Sequence, residues 1–231
     1  MARRDQRQAS LAPLVSFAIL LAVLASVAKA GEEDPMADDL QARIARVNEG
    51  TLTFLASPPE KPVHHHHNEL WMEAGSLEDG WLLLQQCHEH LDAVPRSQVV
   101  FRDERIRNLS VASASGIERV WVEGPSVQLA GVGAGAHLCV AADSRALSRE
   151  DDGRYVIRNG PFMRRFLDGY FPMRVSMAVH YPCDRLRFVG ATPPAQAGFA
   201  VNEGPCRVDV DAWFEGRLNT ELRFEPRSAQ P

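Results

Sequence analysis

Apolar and polar residues alternate in short runs along most of the chain that follows His64. Such alternation is typical of strands that bury one face, and turn residues separate the runs at intervals of about 8–12 residues. No long amphipathic helix interrupts this pattern. It predicts an all-β fold, a β-sandwich of short antiparallel strands. The clearest predicted strands are Gln98–Phe101, Arg105–Ala112, Glu118–Glu123, Ala136–Ala141, Arg154–Arg158, Met173–Tyr181, Leu186–Gly190, Cys206–Phe214 and Arg217–Phe224.

The strongest alternation lies in the last two of these runs. Every second residue from Val208 to Phe214 is apolar, and the same period continues from Leu218 to Phe224. Glu215 and Gly216 lie between the two runs and suit a turn. We therefore expect an antiparallel hairpin here, with one face covered and the other in water.

Two segments depart from the simple strand pattern. Pro161–Leu167 predicts one short helical turn, because Asn159 can cap it and proline suits the first turn of a helix. Residues 40–47 have apolar positions at helical spacing and predict a short helix. They also fit the first arm of a hairpin that turns at residues 48–50 into Thr51–Leu55.

The first 30 residues have the three-part layout of a secretory signal peptide. Arg3, Arg4 and Arg7 precede a 14-residue run, Leu14–Val27, that is apolar apart from two serines, and Ala-Lys-Ala follows at residues 28–30. The run is shorter than the roughly 20 residues that a spanning helix needs, which favours cleavage over an uncleaved anchor. We expect a periplasmic or secreted protein with an acidic, disordered segment at 31–39, a single β-rich domain at 40–226 and a tail at 227–231.

The charge of the predicted mature chain limits its partners. Residues 1–30 carry four basic side chains and one acidic side chain, so their removal changes the net charge from −5 to −8. The remaining basic residues are mostly single rather than in blocks. Nucleic acid and anionic lipid surfaces are therefore poor partners. No later run is long and apolar enough to predict a transmembrane anchor in the mature form.

Four cysteines, Cys87, Cys139, Cys183 and Cys206, follow the predicted signal peptide. An even number in an exported chain predicts disulfides, and four cysteines allow three pairings. We favour Cys183 with Cys206, which would close a loop between neighbouring strands, and Cys87 with Cys139, which would join two strands of the first half. Buried, reduced thiols are the alternative for Cys87 and Cys139.

Four adjacent histidines, His64–His67, form the most distinctive motif. Successive strand residues point to opposite faces, so the four split into the pair His64 and His66 and the pair His65 and His67. Two positions along a strand span roughly 6.6–6.8 Å, which lets both rings of a pair reach one ion.

A second histidine pair, His88 and His90, lies in the run Trp81–Leu91. There we expect the apolar face, with Trp81, Leu83, Cys87 and Leu91, to point inward and the two histidines to point outward with Gln86. If the two strands are antiparallel neighbours, three or four imidazoles could surround one Zn, Cu or Ni ion. Glu69 and Glu89 could then act as ligands or hydrogen-bond acceptors. His137 and His180 stand alone and are expected to be ordinary sheet residues.

Other interpretations of the histidines stay open. A His-rich strand also suits a solvated sheet edge, where charge discourages aggregation, and the preceding prolines suit a mobile loop. Clustered imidazoles could also sense mild acid, because protonation of one disfavours protonation of its neighbours. The spacing matches neither a His-Glu-x-x-His helix nor a thiolate zinc motif.

The segment Asn159–Pro172 is rich in aromatic residues and arginines. Its composition suits a contact surface for another envelope protein or a ligand groove, or a connection that plugs the core at one end of the sandwich. The candidate surface residues are Phe162, Arg164, Arg165, Asp168 and Tyr170.

No catalytic motif is present, and the glycines at 131, 133 and 135 are best explained by a hairpin loop. The sequence alone therefore favours an exported cell-envelope binding or structural protein without enzymatic activity, with metal binding through the histidines as an added possibility. An interaction protein that uses the 162–171 segment and a hydrolase without a recognisable motif are the alternatives. The ligand, the partner and the oligomeric state have no signal in the sequence.

Overall fold

Strands account for most of the chain, as the alternating pattern predicts. The computed structural model describes residues 49–73, 75–167 and 169–227, which belong to one compact unit, 43–231. A helical turn, α1 (Ser76–Asp79), and a 3-10 turn at Asp103–Arg105 interrupt the strands. The strands are β1 (Thr53–Phe54), β2 (His65–Trp71), β3 (Trp81–Leu91), β4 (Val94–Val100), β5 (Ile106–Glu123), β6 (Ser126–Arg145), β7 (Leu147–Arg149), β8 (Tyr155–Phe162), β9 (Arg164–Phe166), β10 (Gly169–Phe171), β11 (Met173–His180), β12 (Leu186–Thr192), β13 (Phe199–Gly204), β14 (Arg207–Glu215) and β15 (Leu218–Pro226).

Two sheets form the sandwich-like architecture that the sequence predicts. The large sheet has nine strands in the order β1-β14-β11-β2-β3-β6-β4, with β13 also paired to β14 and β5 also paired to β6. The small sheet has four strands in the order β12-β15-β8-β7, and β9 and β10 form a separate hairpin. The pairing of β2 with β11 is parallel, whereas β2 pairs with β3 in the antiparallel sense. The prediction of an all-β, sandwich-like fold is confirmed.

The main core lies between the two sheets. Val208 and Phe214 of β14 are fully buried, and so are Leu222 and Phe224 of β15. The alternation in these strands therefore identified the inward faces correctly. The predicted hairpin, however, is wrong, because β14 pairs with β11 and β13 while β15 pairs with β12 and β8. The chain crosses from one sheet to the other at residues 215–217, so the two apolar faces pack across the core instead of side by side.

The predicted helical turn at Pro161–Leu167 is also wrong. β8 continues through Phe162, which pairs with Leu218 of β15, and Arg164–Phe166 is the first arm of the β9–β10 hairpin. The fixed φ of proline suits an extended chain as well as a first helical turn, so cross-strand pairing decides the outcome here. Gly160 has a φ of +108°, and a Cβ there would lie 2.5 Å from the carbonyl oxygen of Leu218.

The inward face of β3 is the opposite of the one expected. Leu82 and Leu84 are buried with Gln86 and His88, whereas Leu83 is 42% exposed. The run Trp-Leu-Leu-Leu at 81–84 is apolar on both faces of a strand, so its period does not fix the direction. The loop predicted at the glycines 131–135 is instead part of β6, at the position where its neighbour changes from β4 to β3.

One disulfide, Cys87–Cys139, joins β3 to β6, and the other, Cys183–Cys206, links the turn after β11 to the turn before β14. These are the two pairs that the sequence favours. The predicted signal peptide, the acidic segment at 31–39, residues 40–48 and residues 228–231 lie outside the described residues. Of the 51–55 arm, Thr53 and Phe54 pair with β14. Within the described ranges, no helix has the length and apolar character to cross a membrane.

Candidate functional site

The four-histidine motif lies in the interior of the large sheet. His65–His67 begin β2, which pairs with β3 on one side and β11 on the other. His64 comes directly before β2, and its carbonyl oxygen accepts a hydrogen bond from the Arg174 backbone N–H at 3.0 Å. The solvated edge strand and the mobile loop are therefore wrong interpretations of this motif, because the strand that contains it is hydrogen-bonded to a neighbouring strand on both sides.

His64, His66 and His88 come together on the inner face. His66 lies directly opposite His88 in the β2–β3 ladder, and their ring centroids are 4.6 Å apart. Nε2 of His64 lies 3.0 Å from Nδ1 of His88. Two amide side chains hold the other nitrogens: Nε2 of His66 is 2.9 Å from Oδ1 of Asn68, and Nε2 of His88 is 2.8 Å from the Gln86 amide.

These three histidines line a cleft of about 380 Å³ at the seam between the two sheets. We call it the histidine cleft. Its opposite wall is mostly apolar but includes Gln98 and Asn159, and the ring of Phe162 packs edge-on against His66 with 5.0 Å between centroids. The lining residues are His64, His66, Asn68, Gln86, His88, Gln98, Val99, Val100, Phe101, Asn159, Gly160, Pro161, Phe162, Met163 and Met173. The cleft has the size and mixed character of small-ligand sites.

Burial keeps the imidazoles of the cleft uncharged. Loss of contact with water lowers the pKa of His64 to about 4 and that of His66 to about 3. The same effect holds the pKa of His88 well below its ordinary value of 6.5. The neighbouring imidazoles add to the shift, because each ring disfavours a positive charge on the next. At neutral pH the cleft therefore presents nitrogen lone pairs and N–H donors rather than positive charge.

His65 and His67 lie on the outer face of the same strand. Both approach the hydroxyl of Ser176 on β11, at 2.7 Å from His65 Nε2 and 2.7 Å from His67 Nδ1. The other nitrogen of His65, Nδ1, is 3.0 Å from Oε2 of Glu89 on β3. The pKa of His65 is lowered mainly by burial, and the hydrogen bond from His65 lowers the pKa of Glu89. The pair is therefore a neutral imidazole that donates to a carboxylate.

The order Ser176, His65, Glu89 is that of a hydroxyl, a base and an orienting carboxylate, which are the components of a nucleophilic triad. Acyl transfer also needs donors for the oxyanion. Ser176 lies in the middle of β11, which pairs with β2 on one side and with β14 on the other. These ladders already use the backbone N–H groups around Ser176. The arrangement is best explained as a polar network that joins three strands on the outer face.

The other acidic and histidine candidates lie apart from the cleft. His90 is exposed and has a φ of +55°, at a register shift between β3 and β6 that turns it away from His88. Glu69 accepts from His180 Nε2 at 2.9 Å on the outer face. His137 lies beside the first disulfide, 3.2 Å from Cys139 Sγ. Of the six candidate histidines, three line the cleft and three do not: His65, His67 and His90 lie outside it. The sequence analysis also did not identify Asn68 and Ser176.

The aromatic segment at 162–171 contributes to the core as well as to the surface. Phe162 and Tyr170 are buried, so neither presents its ring as an exposed contact. Arg164 forms a bidentate ion pair with Asp92, in which two guanidinium nitrogens lie 2.9 and 2.6 Å from the two carboxylate oxygens. The guanidinium of Arg165 lies 5.6 Å above the ring of Tyr170. Asp168 is outside the described residues.

Among the described residues, no group of three or more His, Cys, Asp or Glu side chains has a preformed metal-site arrangement. No family model matches the chain, and no curated protein matches its sequence.

Two solved structures share a distant likeness with the chain. An M1 zinc metallopeptidase from Deinococcus radiodurans, bound to a Tyr-Ser-Ala substrate, is 12% identical over 78% of this chain and 44% of that one, with a TM-score of 0.40. A two-domain M1 zinc metallopeptidase bound to L-tryptophan is 12% identical over 80% of this chain and 45% of that one, with a TM-score of 0.35. The chain spans less than half the length of these structures, and a likeness at this level says nothing about its activity.

Proposed function

We propose that this protein is an exported binding protein of the cell envelope that takes up a transition-metal ion in the histidine cleft. His64 and His88 would supply the first two nitrogen ligands, and His66 would supply the third. The observation that carries the proposal is the 3.0 Å distance between His64 Nε2 and His88 Nδ1. Two histidine nitrogens at 2.0–2.1 Å from a tetrahedral ion are roughly 3.3 Å apart, so a small separation of the rings would accommodate one.

The protonation state of the cleft suits a metal ion. An imidazole must be neutral to coordinate, and burial keeps His64 and His66 neutral well below pH 7. In the metal-free protein one N–H between His64 and His88 fills the position that the ion would take. With the Gln86 amide donating to His88 Nε2, that proton belongs to His88 Nδ1.

Coordination through His88 Nδ1 would move the ring proton to Nε2. The Gln86 amide would then turn over, so that its oxygen accepts from the new N–H, as partners of metal-bound histidines do. Asn68 already accepts from Nε2 of His66, which leaves Nδ1 of that ring as its available nitrogen. Imidazole donors suit Zn, Cu and Ni. The two disulfides support an oxidising compartment, and N-terminal sequencing of protein secreted by its host would test cleavage after Ala30.

The test uses protein that has been purified without a metal-affinity column. We expect calorimetric titration with Zn²⁺, Cu²⁺ and Ni²⁺ to give about one equivalent of tight binding for at least one of these ions. His64→Gln and His88→Gln should each weaken that binding by at least about tenfold, and Gln86→Leu should weaken it by about tenfold because outer partners typically contribute 10–100-fold.

The chain offers a matched control on the opposite face of β2. The double variant His65→Gln/His67→Gln removes two histidines next to the cleft residues but should leave the affinity unchanged. Equal loss in the control and in His88→Gln would contradict the proposal, since it would indicate unspecific binding to the histidine-rich strand. Failure of the wild-type protein to bind any of the three ions would also contradict it.

A further inference from the structure

A second groove follows the seam between the sheets on the other side of Phe101. Its volume is about 460 Å³, and it shares Phe101, Asn159 and Gly160 with the histidine cleft. Its walls come from the 3-10 turn before β5, the end of β6, and the facing strands β8 and β15. We call it the arginine groove, and its lining residues are Phe101, Arg102, Arg105, Ser144, Arg145, Ala146, Arg158, Asn159, Gly160, Asn219, Thr220 and Glu221.

The charge of the arginine groove is strongly positive in an acidic protein. Four arginines and a single glutamate line it, whereas the whole chain has a net charge of −5. Glu221 is already engaged, because it accepts from Arg158 at 3.0 Å and also from Arg223. Arg158 in turn has a second carboxylate partner, Glu150.

The other three guanidinium groups have no such compensation. Within the described residues, Arg102, Arg105 and Arg145 form no ion pair with a carboxylate. Arg145 donates its Nε–H to the backbone oxygen of Asp79 at 3.2 Å, which leaves its two terminal nitrogens for another partner. Carboxylates do line the adjoining groove, which shares Arg105 and Arg145, but none of them lies within ion-pair distance of these arginines. They are Glu78, Asp79 and Glu104.

Thr220 supplies an independent observation in the same wall. Its side chain is 2% exposed, and its Oγ1 is buried without a hydrogen-bond partner in the described structure. A buried hydroxyl without a partner costs about 1–3 kcal/mol, so folded proteins seldom keep one without a reason. Thr220 lies on the inward face of β15, opposite Asn159 of β8, and lines the arginine groove.

We propose that the arginine groove binds a phosphomonoester group. Guanidinium forks match phosphate oxygens in geometry and form charge-assisted hydrogen bonds with them. A phosphomonoester carries a charge of about −1.5 to −2 at pH 7, which three uncompensated arginines balance better than they balance a single carboxylate. Arg102, Arg105 and Arg145 hold the phosphoryl oxygens, and the Thr220 hydroxyl donates to the ligand after a small rotation. Asn159 and Asn219 contact the polar part of the ligand.

Binding of glycerol 3-phosphate, measured by calorimetry at low ionic strength, tests this site. We expect saturable binding that weakens as salt is added, and a loss of roughly tenfold or more in Arg105→Gln and in Arg145→Gln. Thr220→Val should weaken binding while leaving the protein folded, because the two side chains have similar shapes. Arg96→Gln is the matched control, since Arg96 is exposed on β4 outside the groove and should not affect affinity.

A second arm separates the two sources of such a group. Co-sedimentation with vesicles that contain phosphatidic acid, in place of the soluble ligand, would assign the groove to a lipid headgroup, and binding of glycerol 3-phosphate alone would assign it to a soluble metabolite. Absence of binding in both arms overturns the proposal. Equal loss in Arg96→Gln and Arg105→Gln also overturns it, because it would indicate general charge attraction. None of these variants touches the histidine cleft, so the outcome is independent of metal binding.

Discussion

Acid should unfold the metal-free protein through the buried histidines. The pKa of His64 is about 4 and that of His66 about 3 in the folded state, against 6.5 for an ordinary histidine. The unfolded chain therefore takes up protons first as the pH falls. The contribution of these histidines to the free energy of unfolding has its full value above pH 6.5. It is lost progressively as the pH falls toward the folded pKa values.

The size of this effect follows from the two pKa values. Each pKa unit corresponds to about 1.4 kcal/mol. Protonation of the unfolded chain between pH 8 and pH 5 therefore lowers the free energy of unfolding by about 2 kcal/mol for each of the two histidines. Together they should remove about 4 kcal/mol, and the lowered pKa of His88 adds a loss in the same direction. Domains of this kind are typically stable by about 5–15 kcal/mol, so the loss is a large fraction of the total.

Urea unfolding followed by tryptophan fluorescence, with a chelator present, measures this loss at pH 8, 7, 6 and 5. In His64→Gln/His66→Gln the decrease between pH 8 and pH 5 should be smaller than in the wild type by about 4 kcal/mol. His90→Asn is the control, because His90 is exposed. The reasoning is refuted if the double variant keeps the wild-type pH dependence, or if the control alters it as much.

Three further outcomes follow from the packing and the cross-links. Replacing Cys87 and Cys139 by alanine opens a loop of 52 residues and should lower the free energy of unfolding by about 4 kcal/mol in urea titrations, whereas an unchanged midpoint would show that the loop is ordered in the unfolded chain. Phe224→Ala should cost about 3–5 kcal/mol because its ring is fully buried, whereas Val189→Ala, at a side chain that is 37% exposed, should cost less than about 0.5 kcal/mol; similar losses would mean that β15 does not pack as described. A fluorophosphonate probe should leave Ser176 unlabelled in intact-mass spectra, and stoichiometric labelling there would favour the hydrolase alternative.

The period of a strand predicts which residues face inward but not which strand lies beside it. In β14 and β15 the inward faces were predicted correctly because one face is apolar except for Thr220 and the other is polar except for Trp213. The pairing of the two strands was not predicted correctly. Two runs joined by a glycine turn have the same sequence pattern whether they form a hairpin or cross between sheets. The partners of these two strands include β8, β11 and β12, which are remote from them in sequence.

The histidine motif shows the same limit. The alternation correctly divides His64 and His66 from His65 and His67, because this depends only on the strand period. The grouping with His88 required the register of β2 against β3, and the grouping with Ser176 required a parallel pairing across about a hundred residues. His90 does not lie beside His88 because the register of β3 against β6 shifts between His88 and Leu91. The sequence pattern does not indicate this shift.

The position of β15 has a consequence for how the chain reaches its folded state. This strand lies between β12 and β8, so the small sheet has no continuous hydrogen-bonded ladder until residues 218–226 have been synthesised. Before that point the complete small sheet is not available to cover the apolar face of the large sheet, and a ribosome-bound intermediate would leave that face exposed. Closure of the core between the two sheets therefore has to wait until β15 is complete.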